Sequence, residues 1–241
     1  MNYLKSTRKE LIKICQEKGI KGYCGKKKDE LTKMIQQNNT LGLRPKSDLE
    51  TDVKVLMTGD NYTKELLIEQ LALHKGYVNG RINTTKKIGV KVRLPSIPED
   101  ISENIIKHIL HNKVNDNTSR WDCKNGDLES QKEGKQECKC FTSGGPLSFT
   151  PSSNWDVIYF LDARNWLCNK FILHRVSLKR TSSEWLNIKV NKIQTFYDQT
   201  KQGRRPRITW ESLHPQISSY CTKVYEGTFE DIFIPLEEVK E

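Results

Sequence analysis

Five consecutive apolar residues, Val157-Ile158-Tyr159-Phe160-Leu161, set the strongest constraint on what this 241-residue chain can fold into. Their β-branched and aromatic members favour extended backbone, and a strand that is apolar on both faces must be covered on both. The chain is therefore expected to build a sheet between two layers. One covering layer is legible upstream. Glu99 to His111 reads as a helix, with Pro98 at its start and Asp100 or Ser102 able to cap it. Ile101, Ile105, Ile106, Ile109 and Leu110 form its apolar face. Thr63 to Lys75 reads as another helix, capped by Thr63, and Gly76 and Gly80 punctuate the basic stretch beyond it. Ile88 to Leu94 alternates apolar and basic residues, as a half-exposed strand would, and Phe171 to Leu178 is a further strand. Lys189 to Gln199 is expected to be helical or irregular, and the acidic end to be strand-poor. The expected class is α/β, a central mixed β-sheet flanked by helices.

Charge narrows the function. Lys and Arg number 40 against 30 Asp and Glu, a net charge of +10. Residues 1–40 carry ten bases and four acids (+6), 41–100 ten and eight (+2), and 101–174 nine and nine (zero). Residues 175–215 carry nine and three (+6), and 216–241 two and six (−4). Two basic blocks thus flank a neutral middle that is rich in carboxylates, an arrangement suited to gripping a polyanion at either side of a metal-holding centre. With 35% apolar and 29% charged residues the chain can form a core. No apolar run approaches the roughly 20 residues of a membrane helix. The polar, basic start, Met1 to Lys9, has no secretory character, and the cysteine count of seven is odd. Reduced thiols in an intracellular setting, cytoplasm or nucleoid, are the expectation.

The first basic block has its own pattern. Residues 7–18 show Leu11, Ile12, Ile14 and Cys15 at helical spacing, with Ser6 or Thr7 as N-cap. Gly19 and Gly22 stop that helix, Lys26, Lys27 and Lys28 form a basic turn, and a second helix runs from Lys28 to Gln37. The pattern Glu10-Leu11, Cys15, Gly19-Ile20, Gly22-Tyr23, Gly25, Lys28-Asp29-Glu30-Leu31 resembles the SAP motif, a DNA-binding helix pair. That resemblance covers about forty residues and implies that Lys26, Lys27 and Lys28 contact DNA.

The chemistry is carried by Asp127 and, after nine intervening residues, Glu137-Cys138-Lys139. In a strand alternate side chains share a face, so Glu137 and Lys139 project together while Cys138 and Cys140 point to the core. With Asp127 on a neighbouring strand, two carboxylates and an ammonium converge. Two hard oxygen donors suit Mg²⁺, and phosphodiester hydrolysis needs a metal to neutralise phosphate charge and acidify a water. Lys139 can orient or help deprotonate that water, and between two carboxylates it stays protonated at rest. The same residues resemble the PD-(D/E)xK nucleases, the fold family of most type II restriction endonucleases. Glu137-Cys138-Lys139 matches the (D/E)xK element and Asp127 the aspartate, although Gly126 stands where that motif has proline. Lys139-Cys140-Phe141-Thr142-Ser143, Gly145-Pro146, Ser148-Phe149-Thr150-Pro151 and Trp155 to Ala163 look like the continuation found in restriction enzymes, so the resemblance spans about residues 98–215.

The resemblance implies a restriction-endonuclease-like core and Mg²⁺-dependent, site-specific cleavage of double-stranded DNA by a homodimer, with a cognate DNA methyltransferase as partner. It further implies Asp127 and Glu137 as metal ligands with the main-chain carbonyl of Cys138, and Glu103 as an accessory carboxylate from the preceding helix. A zinc site from Cys123, Cys138 and Cys140 with His108 or His111 lacks a second ligand pair at finger spacing, and Cys138 has no base to make it a nucleophile. The second basic block, Lys179-Arg180 and Arg204-Arg205-Pro206-Arg207, is a candidate DNA-contacting surface. The expected organisation is a SAP-like unit over 1–40, a linker and accessory region over 41–97, and a nuclease domain over 98–241. Two alternatives stay open: a repair, junction-resolving or homing nuclease of the same fold, and a non-catalytic DNA-binding protein on a nuclease-like scaffold.

Overall fold

The computed structural model describes residues 6–17, 20, 23, 25–40, 62–91, 93–120 and 127–235. The chain forms two compact units, Met1–Gly59 and Asp60–Glu241. In the first, α1 (Arg8–Glu17) and α2 (Lys28–Thr40) enclose a small core of Leu11, Cys15, Ile20, Leu31 and Ile35. Thr7, rather than Ser6, starts α1. Its hydroxyl accepts from the Glu10 N–H at 3.4 Å while the Glu10 carboxylate accepts from the Thr7 N–H at 2.7 Å, a reciprocal cap. The glycine turn at 19 and 22 lies outside the described residues.

The second unit is a six-stranded mixed sheet in the order β1-β2-β3-β5-β6-β8, with helices against it. Its strands are β1 (Thr118–Arg120), β2 (Leu128–Ser130), β3 (Gly134–Phe141), β5 (Val157–Asp162), β6 (Lys170–Val176) and β8 (Cys221–Thr228). A two-stranded ladder pairs β4 (Leu147–Ser148) with β7 (Arg207–Ile208). Every residue of β5 is buried. Val157, Tyr159 and Leu161 enter one core, under α3 (Lys64–Ile88) and α4 (Glu99–Val114). Ile158 and Phe160 enter a second, with Phe149, Trp155, Trp185, Phe196 and Trp210. Those rings come from loops and from three short helices, α5 (Ser183–Leu186), α6 (Phe196–Lys201) and α7 (Trp210–Ile217). The apolar run is thus split residue by residue between two cores, which is why none of it is polar.

Three local expectations change. Helix α3 continues to Ile88 and closes on Gly89 in the left-handed region, φ 68°, so Ile88 to Leu94 forms no strand among the described residues. Leu67, Leu71 and Val78, with part-buried Ile82, hold one helical face across Gly76 and Gly80, and that packing overrides two poor helix formers that each cost about 1 kcal/mol relative to Ala. α3, from the expected accessory region, shares the first core with α4. Helix α4 starts at Pro98 with no side-chain cap, and the Ser102 hydroxyl instead donates to the Glu99 carbonyl at 3.0 Å. Finally, the acidic end does contain a strand. β8 pairs with β6 at the sheet edge, where Thr222, Lys223 and Glu226 stay exposed and only Tyr225 is fully covered, so its sequence reads as polar.

Gly134 begins β3 at φ +69°, and a Cβ there would lie 2.6 Å from the Asp156 carboxylate oxygen that accepts from the Lys135 N–H. Gly134→Ala combines left-handed strain with this clash and should lower unfolding free energy by about 1–3 kcal/mol in urea titrations. His108 lies against Phe233 with Nε2 at 2.9 Å from the Tyr62 carbonyl. Burial pulls its pKa below the ordinary 6.5, against the opposing Tyr62 bond. The neutral ring therefore contributes stability above that ordinary value, lost as pH falls through the depressed folded one. Wild type should lose more stability than His108→Gln between about pH 8 and about pH 5.

Candidate active site

β2 and β3 are antiparallel neighbours, joined by a short turn, with Leu128 opposite Gln136. Asp127 stands one residue ahead of β2. Its N–H donates to the Gln136 carbonyl at 2.9 Å, and its Oδ2 accepts from the Cys138 N–H at 2.7 Å. The aspartate is therefore fastened to the Glu-x-Lys strand by main-chain bonds on both sides of Glu137. β3 in turn runs parallel to β5, with Glu137 opposite Ile158 and Lys139 opposite Phe160. Glu137, Lys139 and Phe141 share the face toward the second core, and Cys138 and Cys140 the face toward the first. Glu137 is only 3% exposed. Its Oε1 lies 2.5 Å from the Lys139 Nζ, which is also 6.0 Å above the Phe149 ring.

The electrostatics reflect that placement. Burial raises the Glu137 carboxyl pKa; Lys139 opposes the rise, Asp127 adds to it, and Arg180 draws it down. Burial also disfavours the Lys139 ammonium, but Glu137 and Asp127 together outweigh it and leave its pKa raised. Lys139 is thus held as a cation by two carboxylates that repel each other. With Glu137 buried and Asp127 half-buried beside it, a hard divalent cation fits the pair. Among the described residues no cluster of three or more His, Cys, Asp or Glu side chains is preset around an ion. The remaining donors would be main-chain oxygen, water or phosphate, as Mg²⁺ favours.

The other residues singled out in the sequence scatter. Glu103, on α4, makes its charge felt at the Cys138 thiol together with Asp127, Glu137 and Lys139. Burial drives that thiol far above the ordinary range and takes Cys140 to about 12, so both remain protonated core groups. His108 and His111 face Tyr62 and Asn117 instead of these thiols, and Cys123 lies outside the described residues with Gly126. In the first unit Lys26 pairs with Glu30 at 3.3 Å, and Lys27 on the turn and Lys28 at the start of α2 are exposed. In the second basic block Lys179 reaches Asp156 at 3.4 Å, and Arg204, Arg205 and Arg207 are exposed. Arg180 departs from the exposed-loop expectation. It is 5% exposed, lies 5.5 Å from the Trp155 ring and 5.3 Å from the Phe196 ring, and donates to the Thr200 hydroxyl at 3.0 Å. The reason is the Arg180 N–H bond to the Trp155 carbonyl at 3.0 Å, which tethers that residue to the aromatic core instead of the loop tip.

One charged group has no counterpart among the sequence expectations. Asp162, ending β5, accepts a bidentate contact from Arg164, which also reaches Glu211 at 3.1 Å. Asp-Ala-Arg directly after the apolar run was the available signal, since a carboxylate closing a buried strand needs a cation nearby.

The coupling can be measured directly. In Asp127→Asn the like charge beside Glu137 is gone, so its carboxyl should titrate at lower pH than in wild type. In Lys139→Met it should titrate at higher pH. Carboxyl ¹³C NMR titration of the metal-free protein reads both shifts, and equal values in all three proteins would mean that the groups are not coupled.

Comparison with known proteins agrees with this architecture. The family model described as Bsp6I restriction endonuclease matches residues 74–214. The type II restriction enzyme Bsp6I of Bacillus sp. (strain RFL6) is 32% identical over 117 residues, 47% of this chain and 62% of that enzyme. The match thus spans less than two thirds of the relative's length. No solved structure matches the chain. With the β2–β5 core and all of the Asp127–Lys139 segment inside the matched region, the chain belongs to the Bsp6I restriction endonuclease family.

Proposed function

We propose that this chain is a Mg²⁺-dependent, site-specific endonuclease that hydrolyses phosphodiester bonds of double-stranded DNA. One observation carries the reading: Asp127, Glu137 and Lys139 converge around the start of β2 and the middle of β3, inside the region shared with restriction endonucleases. Asp127 and Glu137 would hold the metal, joined by the Cys138 main-chain carbonyl. When bound, Mg²⁺ supplies positive charge against the phosphate and lowers the pKa of water. Asp127, tied to the Cys138 N–H, keeps its carboxylate close to Glu137. Lys139, which is paired with Glu137, would orient the attacking water and offset charge growing on the phosphate. Burial of Glu137 and the aromatic wall behind Lys139 exclude bulk water and strengthen each of these contacts.

The two basic blocks support DNA as the substrate. Arg204, Arg205 and Arg207, with Lys179, present exposed cations to phosphates or guanine edges. The helix pair α1–α2 serves as a SAP-like unit that adds non-specific, salt-dependent affinity through Lys26, Lys27 and Lys28. Glu103 is at most an accessory carboxylate acting through α4. The working form is a homodimer inside the cell, matched by a cognate methyltransferase that protects host DNA.

Plasmid DNA incubated with the protein and Mg²⁺ should yield discrete fragments, with none when EDTA removes the metal. Lys139→Met should slow cutting by roughly 10²–10⁴-fold, the range of a lost proton-transfer group, while leaving DNA binding intact. Glu137→Ala and Asp127→Ala should abolish cutting, and the Mg²⁺-induced rise in melting temperature should vanish with it. Preference for branched substrates would instead support a junction-resolving enzyme. Binding without cutting in wild type would leave a non-catalytic DNA-binding protein.

A further inference from the structure

We propose that Ile193 is a wedge that enters the base stack of duplex DNA and opens one step when the second basic block grips the phosphates. The inference deepens the proposed function and rests on its DNA substrate. Ile193 is 86% exposed, more than any other large apolar side chain among the described residues. Its neighbours on the same segment do serve the fold, since Ile188 is buried in the second core and Val190 packs partly against it. Ile193 stands at the tip of a tightly braced turn. Lys189 and Thr195 form an antiparallel bridge, and the Val190 N–H donates to the Gln194 carbonyl at 3.0 Å. The Asn191 Oδ1 accepts from the Ile193 N–H at 2.9 Å and from the Gln194 N–H at 2.8 Å. Below the turn, the Gln216 side chain of α7 holds both main-chain groups of Lys189, accepting from its N–H at 2.8 Å and donating to its carbonyl at 3.1 Å. An apolar tip fixed in this way has little conformational freedom left to lose on insertion.

The surroundings select DNA as the occupant. Residues 187–207 carry six bases, all exposed, against one acid, Asp198, whose carboxylate accepts from the Thr195 N–H and hydroxyl. The tip is joined to the arginine loop through Gln194, whose Nε2 donates to the Gln202 Oε1 at 3.5 Å, two residues before Arg204. That loop in turn reaches the candidate site. The Pro206 carbonyl accepts from the Phe149 N–H at 3.0 Å, and the Lys139 Nζ lies 6.0 Å above the Phe149 ring. One bonded path therefore links the tip, the arginines and the Glu137–Lys139 strand. Phosphates on either side of a base step supply counter-charge for the cations, and the bases between them supply the apolar contact for the isoleucine. Insertion of such a side chain unstacks the step and kinks the duplex by about 20–90°.

Binding of the full-length protein in EDTA tests the wedge apart from cutting. The probe is a duplex that the protein retains from a random-sequence pool, with 2-aminopurine placed at each position in turn. Wild type should raise the fluorescence several-fold at one base step and leave the other positions near their free values. Ile193→Ser should lose that rise while still binding, with an unchanged slope of log affinity against log salt, because no charge is removed. Ile193→Leu should keep the rise. Lys192→Ala should keep it too and lower the salt slope by about one. All three variants should retain wild-type circular dichroism, since both positions are exposed. Bound wild type with no rise at any position, a rise that survives Ile193→Ser, or a rise lost in Ile193→Leu would each overturn the wedge and leave the DNA reading standing. An unaltered rise in Ile193→Ser together with altered sedimentation would assign the tip to a protein contact instead. Wild type that retains no duplex from the pool would overturn the wedge and the DNA reading together.

Discussion

The parallel pairing of β3 with β5 is the contact on which the second unit turns. β5 has no polar residue before Asp162, so it can exist only between two cores, and its neighbour inherits the same two environments. On β3 the inheritance is uneven. Cys138 and Cys140 tolerate the helix-covered side, while Glu137 and Lys139 are carried into an aromatic-lined side where neither charge would persist alone. The pair survives because each is the other's counter-ion, and a buried ion without a partner costs several kcal/mol.

That pairing also explains the poise of the site. Two carboxylates share one ammonium, with the buried Arg180 also acting on Glu137. Stability alone would favour a neutral, well-packed substitute at these positions. Retaining excess negative charge where burial penalises it makes sense if a cation arrives as part of the working state. The cost is met by rigid surroundings: main-chain bonds fix Asp127 to β3, and four aromatic rings pack within the second core around Phe149.

Sequence was a good guide wherever one local rule acted alone. The β5 run, the apolar face of α4 and the Asp127…Glu137-x-Lys139 spacing each arise from a period or a charge pattern confined to a few residues. It was a poor guide where a distant contact decided. Gly76 and Gly80 read as helix stops, yet α3 runs through both because its core-facing side continues through Val78 to Ile82. Arg180 read as part of an exposed basic block, yet its N–H bond to the Trp155 carbonyl and the Trp155 and Phe196 rings draw it inside. β8 reads as polar because, at the sheet edge, most of its side chains meet water.

The sequence by itself determined that a doubly covered strand must exist, that a helix with an isoleucine face must cover it, and that two carboxylates and a lysine recur at strand spacing. These features come from side-chain chemistry and from the two- and 3.6-residue periods of extended and helical backbone. Only the tertiary structure decided that Asp127 is bonded to the strand that bears Glu137 and Lys139, and that Arg180 is interior. Those outcomes depend on which strands pair and which face each helix covers, and such contacts join residues far apart in the chain, where no local period reaches.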